Sequence, residues 1–158
     1  PQVARFPQEL TGREVIDIVK GLRPASAVRE EELVRLFELE NELPKRVRAM
    51  SGGTRQKLSM VIAGMYDPPL LICDEPTAGL DPIANTRLKA HLVSLRKQER
   101  TVLITTHIMS DLDEIADNVV VLLEGRVRFS GAVRDLKRRT EEPRLEAAVA
   151  RLLAKGAA

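Results

Sequence analysis

The sequence has no tryptophan, one tyrosine, three phenylalanines and one cysteine among 158 residues. Platforms for single-stranded nucleic acid need stacking rings, so the shortage of aromatics argues against that class. A lone thiol, Cys73, excludes an internal disulfide framework and most cysteine metal sites, and it suits a reducing compartment. Long apolar runs are absent, and none approaches the ~20 residues of a membrane helix. The first residues show no basic start followed by an apolar stretch, so no signal peptide is expected there. Excess charge of one sign is also absent: 25 Lys+Arg against 23 Asp+Glu leave a formal net charge of +2. That balance again argues against a dedicated nucleic-acid binder.

What is present describes a globular chain of ordinary domain size, 44% hydrophobic and 30% charged, with enough length for a real core. No internal repeat or low-complexity tract interrupts it. Thr11-Gly12-Arg13-Glu14 has capping-box spacing, and Val15, Ile16, Ile18, Val19 and Leu22 supply an apolar face, which predicts a helix over residues 11–22. Gly21 and Pro24 end it. A second helix is predicted over residues 29–39, with Leu33, Leu36 and Phe37 inward. A third starts at Ser51-Gly52-Gly53 and carries Leu58, Val61, Ile62 and Met65 as its buried stripe.

The pattern changes after Pro68-Pro69. Leu70-Leu71-Ile72-Cys73 is a short apolar run ending at Asp74-Glu75, and the β-branched run over residues 101–105 leads to His107. Leu88, Leu92 and Leu95 recur at helical spacing between them. Strand, helix, strand in this order predicts a βαβ unit and a parallel sheet covered by helices. Residues 119–123 and 126–129 flank Glu124-Gly125, a hairpin signal. Residues 132–139 and 143–153 read as amphipathic helices. His91, mid-helix and without polar companions, reads as a surface residue, and Lys137-Arg138-Arg139 as a solvated helix end.

Four stretches carry candidate chemistry. Acids at the carboxyl end of a strand sit where open α/β sheets bind ligands. An aspartate there, Asp74, can hold Mg²⁺, and a neighbouring glutamate, Glu75, can orient or deprotonate water. The bland alternative is an acid pair that caps the next turn. Ser51-Gly52-Gly53 at a helix start leaves backbone N–H groups bare for a phosphate; the alternative is a plain serine N-cap. Gly79 permits a sharp turn and Pro82 can open the next helix, which leaves Asp81 either as an N-cap or as a contact to another molecule. His107, in Thr105-Thr106-His107, can hydrogen-bond a phosphate or be satisfied by backbone.

The order and spacing of these stretches together resemble the nucleotide-binding subunit of ATP-binding cassette (ABC) transporters. The likeness covers nearly the whole chain, the last two helices least. It implies an α/β fold, the P-loop NTPase (ABC ATPase) type, with a parallel sheet, flanking helices and an inserted helical subdomain. On that likeness, Ser51, Gly52, Gly53, Thr54 and Gln56 match the signature that contacts nucleotide. Asp74 matches the Walker B aspartate on Mg²⁺ and Glu75 the catalytic glutamate. Ala78 to Pro82 match the D-loop with Asp81, and His107 the catalytic switch histidine. Gln2 matches the end of the Q-loop, another Mg²⁺ and nucleotide contact. Met50 and Thr54 depart mildly from the usual signature, which has Leu and often Gln there. The stretches over residues 4–7, 51–57 and 106–110 look similar to the ATPase of copper-site maturation of nitrous oxide reductase, with multidrug and sodium exporters close by.

The resemblance implies residues 1–66 as Q-loop end, helical subdomain and signature helix. Residues 67–131 would be the α/β portion and 132–158 a helical tail. It implies ATP and Mg²⁺ as cofactors, and as partners a second ATPase subunit paired head to tail and a transmembrane permease, with no nucleic acid. The expected location is cytoplasmic, peripheral on the inner face of the membrane. No Gly-Lys pair occurs anywhere in the chain, so the Gly-x-x-x-x-Gly-Lys-Ser/Thr phosphate loop is missing. With Pro1 in place of Met, that predicts truncation before the Q-loop and a chain inactive alone. Two other classes compete. Chromosome, repair or translation ATPases share these motifs, but chromosome and repair members carry a long coiled coil, and residues 2–51 hold no sustained heptads. A non-catalytic interaction module fits the missing loop but not the intact Asp74, Glu75 and His107.

Overall fold

The computed structural model describes residues 5–23 and 25–155; Gln2 lies outside them. The chain forms two compact units, residues 1–106 and 107–158. The first contains α1 (Gly12–Leu22), α2 (Glu30–Leu36), a 3₁₀ turn (Val47–Ala49), α3 (Gly52–Gly64), β1 (Leu70–Asp74), α4 (Pro82–Lys97) and β2 (Thr101–Thr105).

Local chemistry starts α1 as expected. The Glu14 amide donates to Thr11 Oγ1 at 3.2 Å, and the Thr11 amide donates to Glu14 Oε2 at 2.7 Å. The next orphan amides of the helix end find backbone acceptors: Gly12 N donates to Lys45 O and Arg13 N to Leu43 O. Val15 and Ile16 are buried together with Leu33, Phe37, Leu39 and Val47. The second helix is shorter than predicted. It ends at Leu36, and Glu38 at φ 54° turns the chain so that Leu39 still enters the core. Glu30 is a buried acid held by Arg13 and by Lys20, the latter at 2.6 Å. Burial pushes its carboxyl up, but the two cations more than reverse this and hold it below the usual glutamate range.

β1 and β2 pair in parallel, with Leu70 opposite Thr101 and Asp74 opposite Thr105. One face of β1 is covered, burying Leu71 and Cys73, while Leu70, Ile72 and Leu103 are exposed. The predicted parallel sheet is therefore present, but among the described residues only one of its faces is covered. Alternating side chains turn the uniform apolar run into a two-sided strand. α4 buries Leu88, Leu92 and Leu95. His91 corrects its surface assignment: it is 7% exposed, and its ring meets Phe37 edge-on, centroids 6.4 Å apart. The apolar stripe of α4 is wide enough to include position 91, and an imidazole is small enough to pack against a ring.

The second unit holds α5 (Met109–Ile115), β3 (Asn118–Leu123), β4 (Arg126–Ala132), α6 (Val133–Thr140) and α7 (Leu145–Lys155). β3 and β4 are an antiparallel hairpin. Glu124 and Gly125 have φ 50° and 72°, the two positive values a type I′ turn requires. The pairing runs to Ala132, beyond the predicted residue 129, past an irregularity between Val121 and Leu122. α5 was not foreseen; its seven residues are too few for a periodic signal. Asp113 on α5 accepts from the Leu145 amide and pairs with Lys137. Lys137 is therefore a tertiary contact, while Arg138 and Arg139 are exposed. Among the described residues no helix is long and apolar enough to cross a membrane.

Candidate functional site

The carboxyl ends of β1 and β2 bring four polar residues side by side. In-register pairing sets Asp74 beside Thr105, and the Thr105 hydroxyl donates to Asp74 Oδ1. One residue further, the Thr106 hydroxyl donates to Glu75 Oε2 at 3.0 Å, and the Glu75 amide donates to Thr105 O at 2.8 Å. Two adjacent carboxylates are thus each oriented by a neighbouring hydroxyl. Glu75 adopts φ 47°, a left-handed conformation that costs a non-glycine residue about 1–3 kcal/mol. The strand pairing fixes the acid in that conformation.

Ser51 is the N-cap of α3. Its hydroxyl accepts from the Thr54 amide at 3.0 Å and lies 2.9 Å from Thr54 Oγ1. Ser51 and Gly52 are exposed. The Gly52 and Gly53 amides open the helix and have no acceptor within it, so they present N–H groups and the positive end of the dipole. The two glycines differ in surroundings. A Cβ at Gly52 would meet nothing within 4 Å, whereas one at Gly53 would lie 2.6 Å from Gly79 O. The chain's own loop demands the second glycine, whereas the described residues place nothing against the first.

Gln56 is buried, and its side-chain amide donates to Glu75 O and Pro76 O, each at 3.4 Å. Asp81 is the N-cap of α4, accepting from the Ala84 amide at 2.9 Å, with Pro82 in the first turn. Lys57 Nζ lies 3.4 Å from its other oxygen. The Ala84 amide first, and Lys57 after it, hold this carboxyl below the usual aspartate range. Gly79 has φ 73°, the turn that the sequence asks of a glycine. His107 is exposed, in the bend that precedes α5, and opens the second unit. Burial pushes the Cys73 thiol up to about 11, so it stays protonated and unreactive under the site.

Among the described residues no group of three or more His, Cys, Asp or Glu could hold a metal ion. The donor present is the exposed Asp74 carboxylate. That suits Mg²⁺, which takes one or two carboxylates and completes its shell with water and phosphate oxygens. Sequence reasoning singled out both acids but missed that Thr105 and Thr106 orient them. Aligning the polar ends of the two strands in parallel register would have found it.

The family model described as "ABC transporter" matches residues 1–78. The Nod factor export ATP-binding protein I of Rhizobium meliloti is 39% identical over 131 residues, covering 80% of this chain and 39% of its own length. A daunorubicin resistance ATP-binding protein of Streptomyces coeruleorubidus is 34% identical over 149 residues, covering 92% of this chain and 47% of its own. A solved ATP-binding subunit of an ABC transporter superposes with a TM-score of 0.86 at 30% identity, covering 97% of this chain and 66% of that one. The chain thus spans less than half the length of these two curated relatives.

Proposed function

This chain belongs to the ATP-binding domains of ABC transporters, and on that premise we propose that it is part of an ATPase subunit that drives export through a membrane permease. The observation that carries the reading is the pair of oriented carboxylates, Asp74 and Glu75, at the carboxyl ends of adjacent parallel strands. Open α/β sheets place their ligand chemistry there.

The residues divide the work as follows. Asp74 holds Mg²⁺ and Glu75 takes the proton of the attacking water. Ser51, the Gly52 and Gly53 amides and Thr54 face the terminal phosphate of ATP held by a second subunit, paired head to tail. As the family likeness implies, His107 would steady a γ-phosphate and Gln2 would contact Mg²⁺, while Asp81 anchors the loop that meets the partner. ATP and Mg²⁺ supply the phosphoryl group and the charge neutralisation that transfer requires. The lobe of α1 and α2 docks against the permease, which places the subunit at the cytoplasmic face of the membrane. The relative named for Nod factor export favours export. Copper-site maturation is the narrower version of this reading.

No Gly-Lys phosphate loop lies within the 158 residues. The reading therefore expects no ATP hydrolysis by this chain alone, and turnover once a phosphate-loop segment is supplied. Glu75→Gln then abolishes turnover while ATP-dependent pairing persists. Hydrolysis by the isolated chain that Glu75→Gln removes refutes the division of labour. ATP-dependent pairing without turnover, even with a phosphate-loop segment supplied, instead supports a non-catalytic interaction module.

A further inference from the structure

Three contacts join the first turns of α3 to one loop, residues 75–81. Gly53 packs so closely that a Cβ there would lie 2.6 Å from Gly79 O, a backbone atom that cannot swing aside. The buried Gln56 amide donates to Glu75 O and Pro76 O. Lys57 reaches Asp81 at 3.4 Å with its own side chain largely covered. The contacts fall at the start, the middle and the end of the loop. Within the loop, Ala78 N donates to Glu75 O and Leu80 N to Thr77 O. The Thr77 hydroxyl is buried without a hydrogen-bond partner, so it adds nothing to hold the turn. A Cβ at Gly52, one residue before Gly53, would meet nothing within 4 Å.

We propose that α3 is the seat of the acid-bearing loop, with Gly53, Gln56 and Lys57 as positioning residues that set the backbone carrying Glu75 and Asp81. The helix end that offers its amides and the loop that carries the acid then move as one body within a single copy. Gln56 thereby acts on Glu75 through its carbonyl, with its side-chain N–H groups turned to the loop. The functional meaning of the seat rests on the hydrolase reading; its geometry does not.

The test uses isotope-labelled 158-residue chain without nucleotide. Gly53→Ala shifts the amide resonances of residues 78–81 and speeds exchange of the Ala78 and Leu80 amides about ten-fold, the signature of local opening. Gly52→Ala leaves both unchanged. Equal effects from the two substitutions, or shifts confined to α3 in Gly53→Ala, overturn the seat. A second variant, Gln56→Glu, sets a carboxylate against two carbonyl oxygens at neutral pH and moves the loop resonances. As pH falls the carboxyl protonates and regains an O–H donor, and the resonances return toward wild type. Loop resonances that do not move, or that fail to return, overturn the proposal, and this profile decides alone where Gly53→Ala does not fold. Because no nucleotide is present, failure of ATP binding leaves this result standing, and failure of the seat leaves the hydrolase reading standing.

Discussion

Phe37→Ala removes the ring that links the α2 end of the helical lobe to α4. Phe37 is 1% exposed and meets the His91 ring at 6.4 Å and 77°. Deleting a buried phenylalanine ring costs about 3–5 kcal/mol, transfer and cavity together. Against a typical total of about 5–15 kcal/mol, that is a large share. At ~2–4 °C per kcal/mol for this size, melting falls by about 6–20 °C. Phe37→Leu refills most of the volume and costs about 1–2 kcal/mol. The edge-on pair contributes about 0.5–1.5 kcal/mol beyond area burial, readable as the coupling in a double-mutant cycle with His91→Leu. Equilibrium urea unfolding followed by circular dichroism measures each of these proteins. A Phe37→Ala cost below about 1 kcal/mol would refute the packed lobe, because no cavity so small can follow loss of a whole buried ring.

The acid limb of stability has two stages. Burial, with Arg29 adding to it, holds His91 below its ordinary value, so its contribution is complete above about pH 6.5 and is lost as pH falls through the lowered value. Glu30, also lowered, keeps its contribution above about pH 4.3 and loses it below, as pH falls through its own lowered value. His91→Gln removes the first stage and Glu30→Gln the second in pH-dependent urea titrations; an unchanged acid limb in either variant contradicts the assignment. Asp81→Ala lowers the melting temperature while Asp81→Asn, which keeps an acceptor oxygen for the Ala84 amide, does so much less; equal losses show that the cap is not what Asp81 supplies. Ile72→Thr with Leu103→Thr raises solubility at little cost in stability, since these side chains are 62% and 53% exposed beside strand edges that the described residues leave unpaired in the two-stranded sheet. Unchanged aggregation, measured by light scattering, counts against an exposed sheet face as its cause.

Signals that act over a few residues were legible in the sequence alone. The Thr11–Glu14 box, Pro82 in the first turn of α4 and the Glu124-Gly125 turn stand as read, and Ser51 and Asp81 take the cap geometry that was one of the two alternatives for each. Each depends on a hydrogen bond or a φ value set by its immediate neighbours. The acid pair at the end of β1 was legible for a similar reason, since an apolar run ending in Asp-Glu needs no distant partner to be recognised. Only the tertiary structure decided that Thr105 and Thr106 orient those acids, because strand register sets two distant segments side by side. It also buried His91, turned Gln56 toward Glu75, and pressed Gly53 against Gly79. Those outcomes are contacts between residues far apart in sequence, and a one-dimensional pattern does not record which face of a helix another segment will cover.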